Sequence, residues 1–167
     1  MYNITAKGNT AESGGFMYET TTGTVKLKLY KGNMIKVAES VRKHGMKFGL
    51  WFEPEMVCPD SDLFRAHPDW AIALPGRVPG RKRNQLVLDM TRQEVVDAVY
   101  KMVSDVLHSA NVEYVKWDMN RHSVAVGAKA HAYILGLYDV LRRIFEPRPY
   151  ILLESCSSGG NRFDLGM

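Results

Sequence analysis

The stretch Tyr114-Val115-Lys116-Trp117-Asp118-Met119-Asn120-Arg121 decides how this chain is read. It is short, rich in aromatic and β-branched residues, and flanked by segments of helical periodicity. It therefore reads as a strand over 113–120. Side chains alternate across a strand. Val115, Trp117 and Met119 share one face, and Lys116, Asp118 and Asn120 share the other. A strand buried in a parallel sheet is ordinarily apolar on both faces. A Lys-Asp-Asn row costs several kcal/mol unless every group finds a partner. A packed core has no use for such a row, whereas a sugar or other polar ligand does. The alternative is a buried ion pair that orients the strand.

The pattern extends in both directions from this strand. Upstream, Val95, Val99, Met102, Val103, Val106 and Leu107 predict a helix running to about Ser109, with Thr91 as N-cap and Glu94 completing a capping box. Downstream, a helix over 128–145 ends at Pro147 and Pro149. Tyr150-Ile151-Leu152-Leu153-Glu154 is a further strand, feeding the turn Ser155-Cys156-Ser157-Ser158-Gly159-Gly160. Toward the N-terminus, a helix over 32–44 (Ile35, Ala38, Val41) stops at Gly45. Met46-Lys47-Phe48-Gly49-Leu50-Trp51-Phe52 then reads as a buried strand, ended by Glu53-Pro54-Glu55. A long connection over 58–83 leads to Leu86-Val87-Leu88-Asp89, a short strand. Strands alternating with helices predict parallel βα units, hence an α/β fold. Residues 1–28, dominated by Gly, Thr, Ser and Asn, read as an atypical, loop-like N-terminal segment with one candidate edge strand at Val25-Lys26-Leu27-Lys28-Leu29-Tyr30. Residues 29–167 form the α/β domain.

Composition removes several classes of function. With 167 residues, 46% apolar, the chain can bury a core and is not disordered. The net charge of +4 is spread out, and the one dense basic run lies at 77–83, unlike a dedicated nucleic-acid binder. No apolar run approaches the roughly 18 residues of a membrane span. The N-terminus lacks a secretory pattern, and two isolated cysteines suit a reducing cytoplasm. Cys58 and Cys156 lie outside any Cys-x-x-Cys, and the five histidines show no metal spacing. The turn at 155–160 lacks the Gly-Lys-Ser/Thr of a phosphate-binding loop. No metal, nucleotide or other cofactor is expected.

The polar residues that remain follow strand C-termini, where parallel α/β folds place their sites. Asp118 fits a nucleophilic carboxylate, and Lys116 on the same face would lower its pKa. Asn120 would donate to a hydroxyl or orient the carboxylate. Trp51, at a strand mouth, is either a platform for a sugar ring or a core aromatic. Glu53 and Glu55 point the same way if the strand continues, as an acid–base pair would. Pro54 between them favours a structural elbow whose carboxylates anchor Lys or Arg. The 155–160 turn could cradle a ligand with backbone N–H groups, with Cys156 the cysteine nearer such a site. His67, before Pro68-Asp69-Trp70, reads as a loop anchor.

Three stretches resemble glycoside hydrolase family 36, the α-galactosidases of the melibiase/raffinose type. They are Gly45-Met46-Lys47-Phe48-Gly49-Leu50-Trp51-Phe52-Glu53-Pro54-Glu55-Met56, Lys116-Trp117-Asp118-Met119-Asn120-Arg121, and Cys156-Ser157-Ser158-Gly159-Gly160 with Arg162-Phe163-Asp164-Leu165-Gly166-Met167. Asn84-Gln85-Leu86-Val87-Leu88-Asp89 also matches, and the likeness runs from about Leu29 to Met167. The resemblance implies part of a (β/α)₈ TIM barrel, since four or so strands in 167 residues cannot close one. It implies retaining hydrolysis of terminal α-galactosides, an α-galactoside as partner, and relatives that are often homo-oligomeric.

Site residues follow from the resemblance position by position. Asp118 is the expected nucleophile. Lys116 and Asn120 are expected on galactose hydroxyls, Trp51 as the aromatic wall and Arg83 as a substrate-side or inter-subunit contact. Cys156 and Gly159 would line the sugar, and Trp117 joins the substrate-binding set. The departures are equally informative. The family's acid/base aspartate lies in a Ser-Asp-Asp/Asn-Thr-Asp stretch expected beyond Met167, and Asp164 is read as structural. The family's Asp-Asp-Gly-Trp strand end has no match in residues 1–28. The loop over 123–130 is shorter than usual, and Glu154 stands where Asn is usual. The expectation is a slice of a barrel from a truncated or frame-disrupted gene, weak or inactive alone. The alternatives are a sugar-binding remnant and an unstable fragment.

Overall fold

A computed structural model describes residues 3–7, 14–20, 23–29, 34–73, 76, 84–120 and 129–157. The expectations for Arg83 and Gly159, and for Asp164, lie outside these residues.

The α/β expectation holds, with a smaller parallel sheet than the sequence suggested. Strands β4 (Gly49–Phe52), β7 (Tyr114–Asp118) and β8 (Leu152–Cys156) form a parallel sheet in the order β4-β7-β8. Helix α3 (Gln93–Ser109) precedes β7, and α4 (Ala130–Phe145) crosses from β7 to β8. Helix α1 (Met34–Lys43) precedes β4 and turns Val37, Ala38 and Val41 inward. It ends as Gly45 predicts. Gly45 takes φ +72°, and the Met46 and Gly45 N–H groups donate to the Val41 and Arg42 carbonyls.

Leu86-Val87 does not join the parallel sheet. The Glu53-Pro54-Glu55 elbow reverses the chain, so β5 (Met56–Val57) pairs antiparallel with β6 (Leu86–Val87) beside it. The long connection expected as a loop carries α2 (Asp62–Ala66), capped by Ser61, and a 3₁₀ turn over Pro68–Trp70. His67 stacks on Trp70 with ring centroids 3.9 Å apart. Thr91 does not cap α3. Its hydroxyl and N–H both turn back to Asp89 Oδ1, and the helix starts after Arg92. Along α3, Met102 is exposed and Val106 half-buried, while Val96 is buried.

The N-terminal segment also departs from its loop-like reading. β1 (Asn3–Lys7), β2 (Gly14–Thr20) and β3 (Gly23–Leu29) form an antiparallel meander in which Thr20 pairs with Gly23. Glycine and threonine content suggested loops, but β-branched and aromatic residues fit a pleated ribbon.

One core joins the sheet to the helices. Phe48, Val115 and Trp117 from the sheet side meet Val99 and Val103 of α3 and Leu137, Val140 and Ile144 of α4. The opposite face of the parallel sheet, carrying Trp51, Lys116, Asp118, Glu154 and Cys156, is left for the site.

Candidate active site

Register assembles this face. Trp51 of β4 lies beside Lys116 of β7, Lys116 beside Glu154 of β8, and Asp118 beside Cys156. Four residues from three strands therefore surround Asp118 at the C-terminal end of the sheet, as expected for a parallel α/β fold.

Asp118 is 6% exposed. Its Oδ2 accepts from Trp51 Nε1 at 3.0 Å and from Asn120 Nδ2 at 2.8 Å. Among the described residues, Oδ1 is buried with no hydrogen-bond partner. Burial alone would raise the Asp118 pKa. The Trp51 indole, the Asn120 amide, the Cys156 thiol and the Met119 N–H outweigh it and hold the carboxyl below its usual value. Donors thus fix Oδ2, while Oδ1 is buried with no partner among the described residues.

Lys116 is not the group that holds Asp118 ionised. Its ammonium pairs with Glu154 Oε1 at 2.6 Å, and the Tyr114 hydroxyl donates to the other Glu154 oxygen. Glu154, singled out in the sequence only as a departure, is the partner its register position offers to Lys116. The side-chain exposures, 35% for Lys116 and 44% for Glu154, leave the pair open to solvent and to a ligand.

Asn120 spends Nδ2 on two carboxylates, Asp118 Oδ2 and Glu53 Oε1, the latter at 2.9 Å. Through nitrogen it therefore links Asp118 to Glu53. Trp51 is 45% exposed, so it is a wall of the site and not a core aromatic.

Two expectations are corrected. Trp117 is fully buried on the helix side of the sheet, where its indole donates to Glu55 and packs edge-on against Phe145. Strand alternation turns it away from any ligand beside Asp118. Glu53 and Glu55 do not point the same way. The chain leaves the strand at Pro54, so Glu53 turns to the site face and Glu55 into the core. They do act as anchors, and the partners seen among the described residues include neutral donors. Glu53 takes the Asn120 backbone and side-chain N–H groups and Gln85 Nε2. Glu55 takes Trp117 Nε1 at 2.9 Å and the Tyr133 hydroxyl at 2.6 Å. Neither contact is readable from local pattern, because each joins residues at least 60 positions apart or, for Gln85, across the β5–β6 connection.

Asp89 ends the β6 segment nearly buried. Burial pushes its carboxyl up, but Thr91 and Lys129 together bring it below the ordinary value. Lys129 Nζ lies 2.9 Å away. Among the described residues, no group of three or more His, Cys, Asp or Glu is placed to hold a metal ion. No helix among them is long and apolar enough to cross a membrane.

Comparison with known proteins places this geometry. The melibiase family model matches residues 22–167. The bifunctional α-galactosidase/sucrose kinase AgaSK of Mediterraneibacter gnavus is 50% identical over 138 residues, covering 81% of this chain and 15% of that protein. The α-galactosidase AgaA of Geobacillus stearothermophilus is 50% identical over 141 residues, covering 78% of this chain and 19% of its own length. The crystal structure of this GH36 α-galactosidase superposes with a TM-score of 0.76 at 48% identity, covering 80% of this chain and 20% of that one. A variant of AgaA was solved in complex with stachyose, and it superposes with a TM-score of 0.75 at 47% identity, covering 80% and 20% of the two chains. The chain thus spans a fifth or less of the length of these relatives. With the family model matching most of its length and its strands superposing on theirs, the chain belongs to the melibiase family of GH36 α-galactosidases.

Proposed function

We propose that Asp118 is the nucleophile of a retaining α-galactosidase site. The observation that carries this reading is the asymmetric environment of its carboxylate. Trp51 and Asn120 fix Oδ2, and Oδ1 has no partner among the described residues. Attack by the Asp118 carboxylate on the anomeric carbon would form a galactosyl ester and release the aglycone. Water would then cleave the ester, so the anomeric configuration is retained. Trp51 stacks on the apolar face of the ring. Lys116, held by Glu154, meets the hydroxyls, and the resemblance places Asn120 beside them. Cys156 lies against the nucleophile and would line the sugar. The resemblance assigns Arg83 and Gly159 to the same pocket.

Retaining chemistry requires a second carboxyl as acid/base, about 5–5.5 Å from the first. Glu53 and Glu154 are the other carboxylates on this face, and each already accepts donors on both oxygens. The acid is therefore assigned outside the described residues, in the closed (β/α)₈ barrel to which this sheet would contribute. A site without that acid would turn over on the order of 10²–10⁴-fold more slowly. The two free cysteines fit a cytoplasmic setting. Homo-oligomers, common among relatives by resemblance, complete the proposal.

α-Galactosyl fluoride tests the nucleophile separately from the acid, because fluoride leaves without protonation. The chain is expected to release fluoride, and Asp118→Ala is not. Equal release by both would overturn the assignment. Hydrolysis of raffinose, whose sugar leaving group needs protonation, at a rate typical of whole enzymes would overturn the assignment of the acid elsewhere.

A further inference from the structure

The elbow Glu53-Pro54-Glu55 lies between two strands of the site face and the core, and its first carboxylate has an unusual set of partners. Glu53 Oε1 accepts both the backbone N–H of Asn120, at 3.0 Å, and its Nδ2, at 2.9 Å. The same Nδ2 donates to Asp118 Oδ2 at 2.8 Å. Gln85 Nε2 holds Glu53 Oε2 from the β6 side at 3.2 Å. The chain Gln85–Glu53–Asn120–Asp118 is continuous, and its first two links join different parts of the fold.

A primary amide has two N–H bonds in one plane. When one is fixed on Glu53, the other is aimed along a single direction, and that direction is Asp118. The bond from the Asn120 backbone to the same Oε1 fixes the Cα–Cβ stem as well. Asn120 follows the last residue of β7 by two positions, where strand pairing no longer restrains the chain. The bonds to Glu53 and Asp118 together select one of its staggered rotamers.

We propose that Glu53 is a positioning residue which, through Asn120, aims a hydrogen bond at Asp118 and so orients the nucleophile. This rests on the reading of Asp118 given above. It extends that reading, because the elbow becomes part of the catalytic geometry as well as a bend in the chain. Glu53 does not touch the reacting atoms. Its effect on Asp118 is transmitted by one amide.

The proposal makes an unusual prediction of sign. Two carboxylates this close repel, so deleting Glu53 as a mere charge would make Asp118 easier to ionise. Deleting it as an aiming device removes the Asn120 donor and makes Asp118 harder to ionise. Among the described residues, the other ionisable groups facing Asp118, namely Lys116, Glu154 and Cys156, are unchanged in either case.

The experiment follows the Asp118 side-chain carboxyl by carbon-13 NMR during a pH titration of the full chain. Glu53→Ala is expected to move the Asp118 titration upward. Glu53→Asp keeps the charge but withdraws the acceptor by one methylene, and it too is expected to move it upward. Glu53→Gln keeps an acceptor oxygen and removes the charge, so no upward movement is expected. In an Asn120→Ala background, Glu53→Ala is expected to cause no further rise. A downward or absent shift in Glu53→Asp overturns the proposal, as does an undiminished rise in the Asn120→Ala background. Glu53→Asp decides the matter even if Glu53→Ala does not fold. None of these readouts requires turnover. Failure of the fluoride experiment would therefore count against the nucleophile, and failure here against Glu53.

Discussion

Trp51 Nε1 donates to Asp118 Oδ2 across 3.0 Å, joining residues 67 positions apart in the sequence. The parallel pairing of β4 with β7 makes this possible. Trp51 lies in register with Lys116, so its indole reaches the next side chain on the same face. The ring is both a wall for a ligand and a donor to the proposed nucleophile.

Trp51→Phe separates these roles, since it keeps an aromatic face and removes the N–H. The Asp118 titration is expected to move upward, with about 1 kcal/mol or less lost from stability because the ring is half-exposed. Carbon-13 titration and thermal melting measure the two effects. An unchanged Asp118 titration would show that the indole does not hold the carboxylate.

Glu55 is the complementary case. It is fully buried, and its two oxygens serve Trp117 and Tyr133, tying the elbow to β7 and α4. Glu55→Leu leaves a buried indole N–H and a buried hydroxyl without this acceptor. A loss of about 3 kcal/mol is expected, at roughly 1–3 kcal/mol for each unsatisfied group. Urea denaturation should show a lower midpoint with an unchanged slope.

Gly136 lies mid-helix in α4, where glycine costs helix stability. The position is explained by a close approach. A Cβ there would lie 1.9 Å from the Met90 carbonyl oxygen, a backbone atom that cannot swing aside. Gly136→Ala therefore forces α4 away from the start of α3, and a loss of 2 kcal/mol or more is expected, at the upper range of overpacking. A Tm equal to or above the parent's would contradict this packing.

Asp118 and Asp89 predict the response to acid. Both carboxyls titrate below their ordinary value in the folded chain, Asp118 through Trp51, Asn120 and Cys156, Asp89 through Thr91 and Lys129, in each case against the opposing effect of burial. A depressed folded pKa contributes stability above the unfolded value, about 3.9 for Asp. That contribution is lost as pH falls through the lower, folded values. Stability should thus be flat with respect to these groups near neutrality and fall below about pH 4. Asp89→Asn should flatten the acid limb, as followed by urea midpoints across that range.

Much of this was legible in the sequence. The strand around Asp118 could be read because its alternation is strict, with Val115, Trp117 and Met119 buried and Lys116, Asp118 and Asn120 on the other face. The helices carry full turns of apolar spacing, so their existence followed from period alone. Leu86-Val87 reads as a short strand or extended piece, but two apolar residues carry no information about direction, and the pairing with β5 is antiparallel. Thr91 carried the capping pattern, but Asp89 offered a nearer acceptor. Trp117 was counted with the sugar ligands from its place in a motif, although its own alternation put it in the core.

By itself the sequence determined which faces are apolar, where helices end and which residue types gather at strand ends. These are local properties, set by side-chain period, by glycine and proline geometry, and by the next few residues of chain. Tertiary structure alone decided the partners. Lys116 pairs with Glu154 and not Asp118, Asn120 is shared by two carboxylates, and the carboxylates of one elbow diverge to opposite sides of β7. Hydrogen bonds depend on distances of about 3 Å. Only the register of paired strands brings residues so far apart in sequence within that range.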